Sequence, residues 1–285
     1  MIKNRRSPLV YYPKTVNELL QLYKSMPDSL LFAGGTEILY GRREKYPVLP
    51  NNIILLSRIE ELAAIKRSEG YLEIGACAKL NKILGIGEHV LKPALYQAIK
   101  SIATCEVRNL ATLGGNICSS YRKKTLFPLL TLLDTRLELR KHGGSRWINL
   151  KKYMIESEGL QPGEVLTRIR IPFNNFNNQA FVITGDLKSD YHNAMTFAFI
   201  ASVQKEVLSD IRFSIGFSNN SIFRVRDFED ALSGRKLPIF GLTEDPVYNR
   251  LTTALKSNDI EISPFRRQQI EGMFLSFLHQ LNDTL

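Results

Sequence analysis

Cysteine is scarce in this chain. Its three copies, Cys77, Cys105 and Cys118, stand far apart among 285 residues, too few and too scattered for a disulfide framework. No C-x-x-C pair occurs, so the usual zinc and iron–sulfur ligand spacings are missing. The four histidines, His89, His142, His192 and His279, are equally dispersed, and no metal site is expected. Long apolar runs are lacking too, since none approaches the ~18 residues of a membrane span. The basic start leads into Tyr11, Tyr12 and Pro13 without an apolar stretch. A secretory signal is therefore not expected, and the cytoplasm is the default compartment. Acidic residues are outnumbered, 28 Asp and Glu against 38 Lys and Arg, for a formal net charge of +10. The cations form short clusters such as Arg42-Arg43 and Arg122-Lys123-Lys124 with no interleaved aromatics. A nucleic-acid module is thus the least favoured use of this charge; a solvated surface or the docking of an acidic partner is favoured.

What is present is ample apolar material, 44% of residues, and length for two domains at roughly 100–200 residues each. Thr15 heads a helical pattern with apolar Val16, Leu19, Leu20 and Tyr23, stopped by Pro27. Short buried strands are expected over 30–33 and 52–56, with a short helix from Thr36 between them. That order predicts a small parallel unit. Hairpins are expected around Ser68-Glu69-Gly70 and His142-Gly143-Gly144, and a further strand over 164–171. The polar run Asn174-Asn175-Phe176-Asn177-Asn178-Gln179 is the best linker. Beyond it, strands are expected over 180–185, 194–205 and 211–217, then helices over 225–232, 242–255 and 264–281. The reading is α+β: a parallel βαβ unit plus an antiparallel sheet with helices over 1–173, then a three-stranded antiparallel sheet with a three-helix bundle over 180–285.

Two Gly-Gly turns carry the chemistry. One is Phe32-Ala33-Gly34-Gly35-Thr36-Glu37; the other is Asn109-Leu110-Ala111-Thr112-Leu113-Gly114-Gly115-Asn116-Ile117. Without Cβ atoms, backbone N–H groups approach an anion closely and reach positive φ. A helix start behind them favours negative charge. Thr36, Thr112 and Asn116 add polar side chains. Together the loops suit a pyrophosphate held from two sides. Each alone is equally a commonplace turn, and neither is a P-loop or a G-x-G-x-x-G fingerprint.

The segment Leu31-Phe32-Ala33-Gly34-Gly35-Thr36-Glu37-Ile38 resembles the first FAD loop of the molybdenum hydroxylase flavoproteins, the family of the xanthine dehydrogenase, aldehyde oxidase and aerobic carbon monoxide dehydrogenase FAD subunits or domains. Val107-Arg108-Asn109-Leu110-Ala111-Thr112-Leu113-Gly114-Gly115-Asn116-Ile117 resembles the second and more specific loop. Ile74-Gly75-Ala76 resembles the strand end between them, and the stretch from Pro162-Gly163-Glu164 to Ile171-Pro172 the segment that closes the FAD domain. The resemblance implies FAD as cofactor. It also implies contacts from residues 31–38 and from Thr112, Leu113, Gly114, Gly115 and Asn116. Ile102 and Leu166 fall at apolar family contacts, and ordinary core packing is the alternative for both.

Two departures stand out. Where the family continues Ala-Ser-Pro-x-x-Asp, this chain has Ser119-Ser120-Tyr121-Arg122-Lys123-Lys124-Thr125, so Thr125 takes the Asp position without its charge. Where the family places a lysine near the flavin, this chain has Val182, with Lys188 as the nearest substitute. The resemblance implies an electron-transfer subunit of a larger complex. It would receive electrons from iron–sulfur centres on a partner, beside a molybdenum-cofactor subunit, and reduce an acceptor such as NAD or oxygen. The alternative prompted by the departures is a degenerate subunit that bridges partners without flavin. Gly115→Val is expected to abolish FAD binding, since a β-branched side chain fills the space where backbone meets phosphate; retention of stoichiometric FAD in the folded variant refutes the loop assignment.

Overall fold

A computed structural model of the chain describes residues 7–40, 49–119, 125–155, 159–185, 194–217, 221–257 and 262–283. The chain divides into two units. The first comprises Met1–Val90, Ile99–Arg122 and Leu133–Phe173; the second comprises Leu91–Ala98, Lys123–Leu132 and Asn174–Leu285.

The first unit opens with a parallel three-stranded sheet of β1 (Leu9–Tyr11), β2 (Leu30–Phe32) and β3 (Asn52–Leu55), in the order β1-β3-β2. The helix Val16–Ser25 connects β1 to β2. It starts because the Thr15 hydroxyl accepts from the Glu18 N–H at 3.1 Å, while the Glu18 carboxylate accepts from the Lys14 N–H at 2.8 Å. This reciprocal cap satisfies two donors that a helix start leaves open. Val16, Leu19 and Leu20 bury one stripe against Ile54, Leu56, Ile59 and Leu62.

A second sheet follows, of β4 (Ile65–Arg67), β5 (Tyr71–Gly75), β6 (Arg136–Lys141), β7 (Gly144–Asn149) and β8 (Val165–Pro172), antiparallel in the order β4-β5-β8-β6-β7. Central strand β8 shows the two-residue period of a sheet with unlike faces. Ile169 and Ile171 are buried, while Arg168 and Arg170 point the other way. The Arg170 Nε donates to Glu73 at 2.8 Å, and its guanidinium lies 4.0 Å from the Trp147 ring and 4.5 Å from that of Tyr71. Arg168 pairs with Glu61 at 3.1 Å and with Glu138 at 3.2 Å. The polar face is thus laced by ion pairs across strands.

The second unit is an antiparallel sheet of β9 (Asn178–Thr184), β10 (Met195–Gln204), β11 (Val207–Gly216) and β12 (Ile222–Phe223), in the order β12-β11-β10-β9. Its core joins strand residues Phe197, Phe199 and Phe213 to Phe228, Phe274 and Phe277 of the helices Arg226–Leu232 and Pro264–Asn282. The short helix Phe127–Leu132 also packs in this unit. The Ser214 hydroxyl donates to the Pro128 carbonyl at 2.8 Å, and a Cβ at Gly216 would meet the Pro128 ring at 2.6 Å.

The α+β class and its three expected parts are present, with two refinements. A two-residue fourth strand, β12, extends the C-terminal sheet. The helix expected over 242–255 is broken into a turn of 3₁₀ helix, Leu242–Glu244, and the helix Tyr248–Lys256. Pro246 explains the break, because it has no N–H to continue a helix. The Asp245 carboxylate instead accepts from the Val247 N–H at 2.8 Å. Among the described residues no helix is long and apolar enough to cross a membrane. Phe199 is buried, with its ring stacked 4.9 Å from that of Phe277. Phe199→Ala is expected to cost the fold about 3–5 kcal/mol, read as a lower denaturation midpoint in urea.

Candidate functional site

Both glycine loops lie in the first unit, and each glycine has a distinct reason to be one. Strand β2 ends at Phe32, whose carbonyl accepts from the Leu56 N–H at 2.9 Å. The chain then turns through Gly35 at φ +69°, the left-handed region. A Cβ there would run into the Phe32 ring, and one at Gly34 would run into the Leu110 carbonyl of the second loop. The two loops therefore touch backbone to backbone, at a place only glycine allows. The N–H groups of Gly34, Gly35 and Thr36 meet no acceptor among the described residues. Clustered half-buried donors of this kind require an external acceptor, water or anion.

The second loop is built differently. Thr112 caps the helix Leu113–Cys118, its hydroxyl accepting from the Gly115 N–H at 3.0 Å. The Leu113 N–H donates to the Ala78 carbonyl at 3.1 Å, that of Gly114 to Ala76 at 2.8 Å, and that of Asn116 to Thr112 at 3.0 Å. A Cβ on Gly114 would lie 2.6 Å from the Ala76 oxygen. Ala76 in turn donates its N–H to the Thr167 carbonyl of β8 at 2.9 Å. The Ile74-Gly75-Ala76 segment is thus the beam between the sheet and the second loop. A Cβ on Gly75 itself would strike the Leu62 carbonyl.

This division of labour between the loops is absent from the sequence pattern. The first loop leaves three successive amides open, whereas those of Leu113, Gly114, Gly115 and Asn116 in the second are spent on its own architecture. The second loop offers the exposed Gly115 surface and the Asn116 side chain, whose Oδ1 is buried without a hydrogen-bond partner. An orphaned buried acceptor on one loop and open donors on the other fit a ligand that carries both hydroxyl and phosphate groups. Both helices behind the loops are short, Thr36–Tyr40 and Leu113–Cys118, so fixed amides matter more here than helix dipoles.

One further link between the loops carries no sequence signal. The Ser119 hydroxyl, buried, donates to the Glu37 carboxylate at 2.6 Å. The two residues are 82 positions apart. The contact ties the helix behind the first loop to the end of the helix behind the second.

The remaining expected residues stand on several elements. Leu31 packs its side chain toward the core of the first unit and Ile38 is half-buried. Ile102 is half-buried, and its carbonyl accepts from the Arg108 guanidinium at 2.8 Å. Leu166 is buried in β8 opposite Leu139. Thr125 is buried and belongs to the second unit, just ahead of the helix Phe127–Leu132. Val182 lies on β9 and packs against the second unit's apolar core, an environment that takes valine and penalises an unpaired lysine. Arg122, Lys123, Lys124 and Lys188 lie outside the described residues. Close to the second loop, burial first and the neighbouring Cys118 second push the Cys77 thiol up to about 12. It stays protonated and unreactive at neutral pH. The Tyr153 hydroxyl donates to the Cys118 sulfur at 3.8 Å.

Fixed backbone donors, glycine cradles and an orphaned amide oxygen form an arrangement that suits a nucleotide cofactor. The chain belongs to the family described as the FAD binding domain in molybdopterin dehydrogenase, which it matches over residues 3–174. It is a family of oxidoreductases whose cofactor in this domain is FAD. The chain is 33% identical to aldehyde oxidase 2 of Cavia porcellus over 173 residues, which are 56% of this chain and 13% of the oxidase. It is 30% identical to the FAD subunit of nicotinate dehydrogenase from Eubacterium barkeri over 173 residues, 56% of this chain and 57% of that subunit. The chain thus spans about an eighth of the oxidase and little more than half of the subunit. Among solved structures, a chain of quinoline 2-oxidoreductase from Pseudomonas putida 86 superposes with a TM-score of 0.76 at 21% identity, covering 98% of this chain and 96% of that one. A chain of carbon monoxide dehydrogenase from Hydrogenophaga pseudoflava gives 0.76 at 22% identity, with the same coverage. At such identity the likeness establishes the fold. Gly34→Ala is expected to force the two loops apart, costing about 1–3 kcal/mol from overpacking and lowering FAD occupancy, measured by melting temperature and by the flavin released on denaturation.

Proposed function

We propose that this chain is the FAD-carrying electron-transfer subunit of a molybdenum hydroxylase assembly. The observation that carries the reading is the set of open amides at Gly34, Gly35 and Thr36, on a loop that meets the second one at Leu110, where the N–H groups of Leu113, Gly114, Gly115 and Asn116 are already bonded. The first loop supplies donors for the diphosphate, and the second supplies a rigid wall, Gly115 and Asn116. In this reading residues 31–38 and 112–116 contact FAD. Ile102 and Leu166 flank it, and Thr125 replaces an acidic contact with a hydroxyl. Residues 1–173 form the FAD domain and 180–285 the C-terminal domain.

Bound FAD supplies the redox chemistry, accepting electrons and passing them on. The chain's own groups bind, orient and hold charge: the amides neutralise phosphate, Ser119 keeps the Glu37 carboxylate engaged, and the buried Cys77 thiol near the second loop stays neutral. Electrons arrive from an iron–sulfur subunit that is itself fed by a molybdenum-cofactor subunit, and leave to NAD or oxygen in the cytoplasm. Similarity to a protein named as a FAD subunit, and to a chain of a Cu,Mo-containing carbon monoxide dehydrogenase, supports this setting. The net charge of +10 suits docking on an acidic partner, and such an assembly loosens as salt rises.

Val182 in an apolar core and Thr125 without a charge favour the second reading, a flavin-free subunit that bridges partners. The purified chain's visible spectrum separates the two. Flavin bands with about one FAD released per chain are expected, as for a single cofactor site. A colourless chain that cannot be reconstituted with FAD overturns the first reading in favour of the second.

A further inference from the structure

Arg108 reads in the sequence as part of the loop signature, and its side chain is bonded to Asn81 and to backbone carbonyls of residues 100–103. Its Nη1 donates to three carbonyls, Lys100 at 3.0 Å, Ile102 at 2.8 Å and Ala103 at 2.8 Å. These close a turn in which Ala103 takes φ +47°, a costly conformation for a residue with a Cβ. The Arg108 Nε donates to the Asn81 Oδ1 at 3.2 Å. That bond fixes which way the Asn81 amide faces. Its nitrogen then donates to the Cys105 carbonyl at 3.0 Å and to the Asn109 Oδ1 at 2.7 Å. One residue earlier, the Leu80 N–H donates to the Ala111 carbonyl at 3.0 Å. The start of the helix Leu80–Leu84 is therefore the common anchor of the whole 105–111 segment, with Arg108 as the clasp.

The consequence runs to the first loop. Leu110 presents its carbonyl against Gly34, so closely that a Cβ there would collide. Whatever sets the position of residues 105–110 sets the gap between the two loops. We propose that Arg108 is a positioning residue for the nucleotide clamp: through the three carbonyls and Asn81 it fixes the Leu110 backbone against Gly34 and so holds the open amides of the first loop at the right distance from Gly115 and Asn116. This rests on the FAD reading above and deepens it. Arg108 touches no cofactor atom; it acts by pre-organising the groups that do. Lysine is no equivalent, because an ammonium lacks the guanidinium fork that serves the carbonyls and Asn81 together.

The test uses the full-length chain, with FAD affinity measured by flavin fluorescence well below each variant's Tm. Arg108→Gln is expected to weaken FAD binding about tenfold or more, the loss typical when a supporting hydrogen-bond partner behind a binding group is removed. Arg108→Lys, which keeps a cation for the carbonyls and gives up the Asn81 bond, falls between. Arg146→Gln is the control. It removes an ion pair of the same unit, Arg146 Nε to Glu164 Oε1 at 2.7 Å, from neither loop; it lowers Tm and leaves FAD affinity at the wild-type value. Wild-type affinity in Arg108→Gln overturns the proposal. So does an equal loss in Arg146→Gln, which would reduce Arg108 to a general stabiliser. Where Arg108→Gln does not fold, Arg108→Lys decides: wild-type affinity there overturns the proposal and weakened affinity supports it. A wild-type chain that binds no FAD brings down this proposal together with the reading beneath it, and is recognised because every variant is then equally colourless.

Discussion

The hydrogen bond from the Gly114 N–H to the Ala76 carbonyl, 2.8 Å long, is the joint on which the first unit turns. On one side of it stands the antiparallel sheet, because Ala76 also bonds to Thr167 of β8. On the other side stands the helix Leu113–Cys118 with its Thr112 cap. The approach is too close for any side chain at position 114. A polar bond buried at such a contact is strong because water cannot compete for it. The second loop is consequently rigid before any ligand arrives. The first loop then takes its height from the second, through the contact of Gly34 with Leu110.

Much of this was legible in the sequence, for physical reasons that differ by element. The helix Val16–Ser25 shows a cap and a 3.6-residue apolar stripe, and the long strands β10 and β11 show a nearly continuous apolar run and an alternating one, so their patterns survive reading one residue at a time. Strand β1 shows nothing of the kind. It has three residues at a sheet edge, and Leu9 and Val10 are both exposed. No burial pattern exists there for a reader to find. The break at Pro246 was visible as a residue, but an apolar period on both sides of it masked its effect.

The site was legible as a pair of glycine turns and opaque as a mechanism. Glycine in a sequence says only that a side chain is excluded. It does not say whether a ring, a neighbouring backbone or a ligand excludes it. Here Gly35 answers to the Phe32 ring, Gly34 to Leu110 and Gly114 to Ala76, while Gly115 is exposed and a Cβ there would meet the Thr112 hydroxyl at 2.9 Å. Arg108 and Ser119 were harder still. Their partners lie in other elements, Asn81 at 27 positions and Glu37 at 82, and a linear pattern has no term for such distances. Val182 was visible as a departure from the family, and its packing in the second unit's core supplies the physical reason a lysine is absent.

The unequal construction of the two loops bears on what the protein is when empty. A socket whose donors all pointed at the ligand would have to be rebuilt from loose ends each time the ligand left. In the FAD reading the second loop keeps the bonds of its Leu113, Gly114, Gly115 and Asn116 amides, so loss of the cofactor would leave the first loop's three amides and the Asn116 oxygen to water. Half of the mould persists without its casting. On that reading, refilling it would begin with stripping water from those few groups, a small local reorganisation for so large a guest.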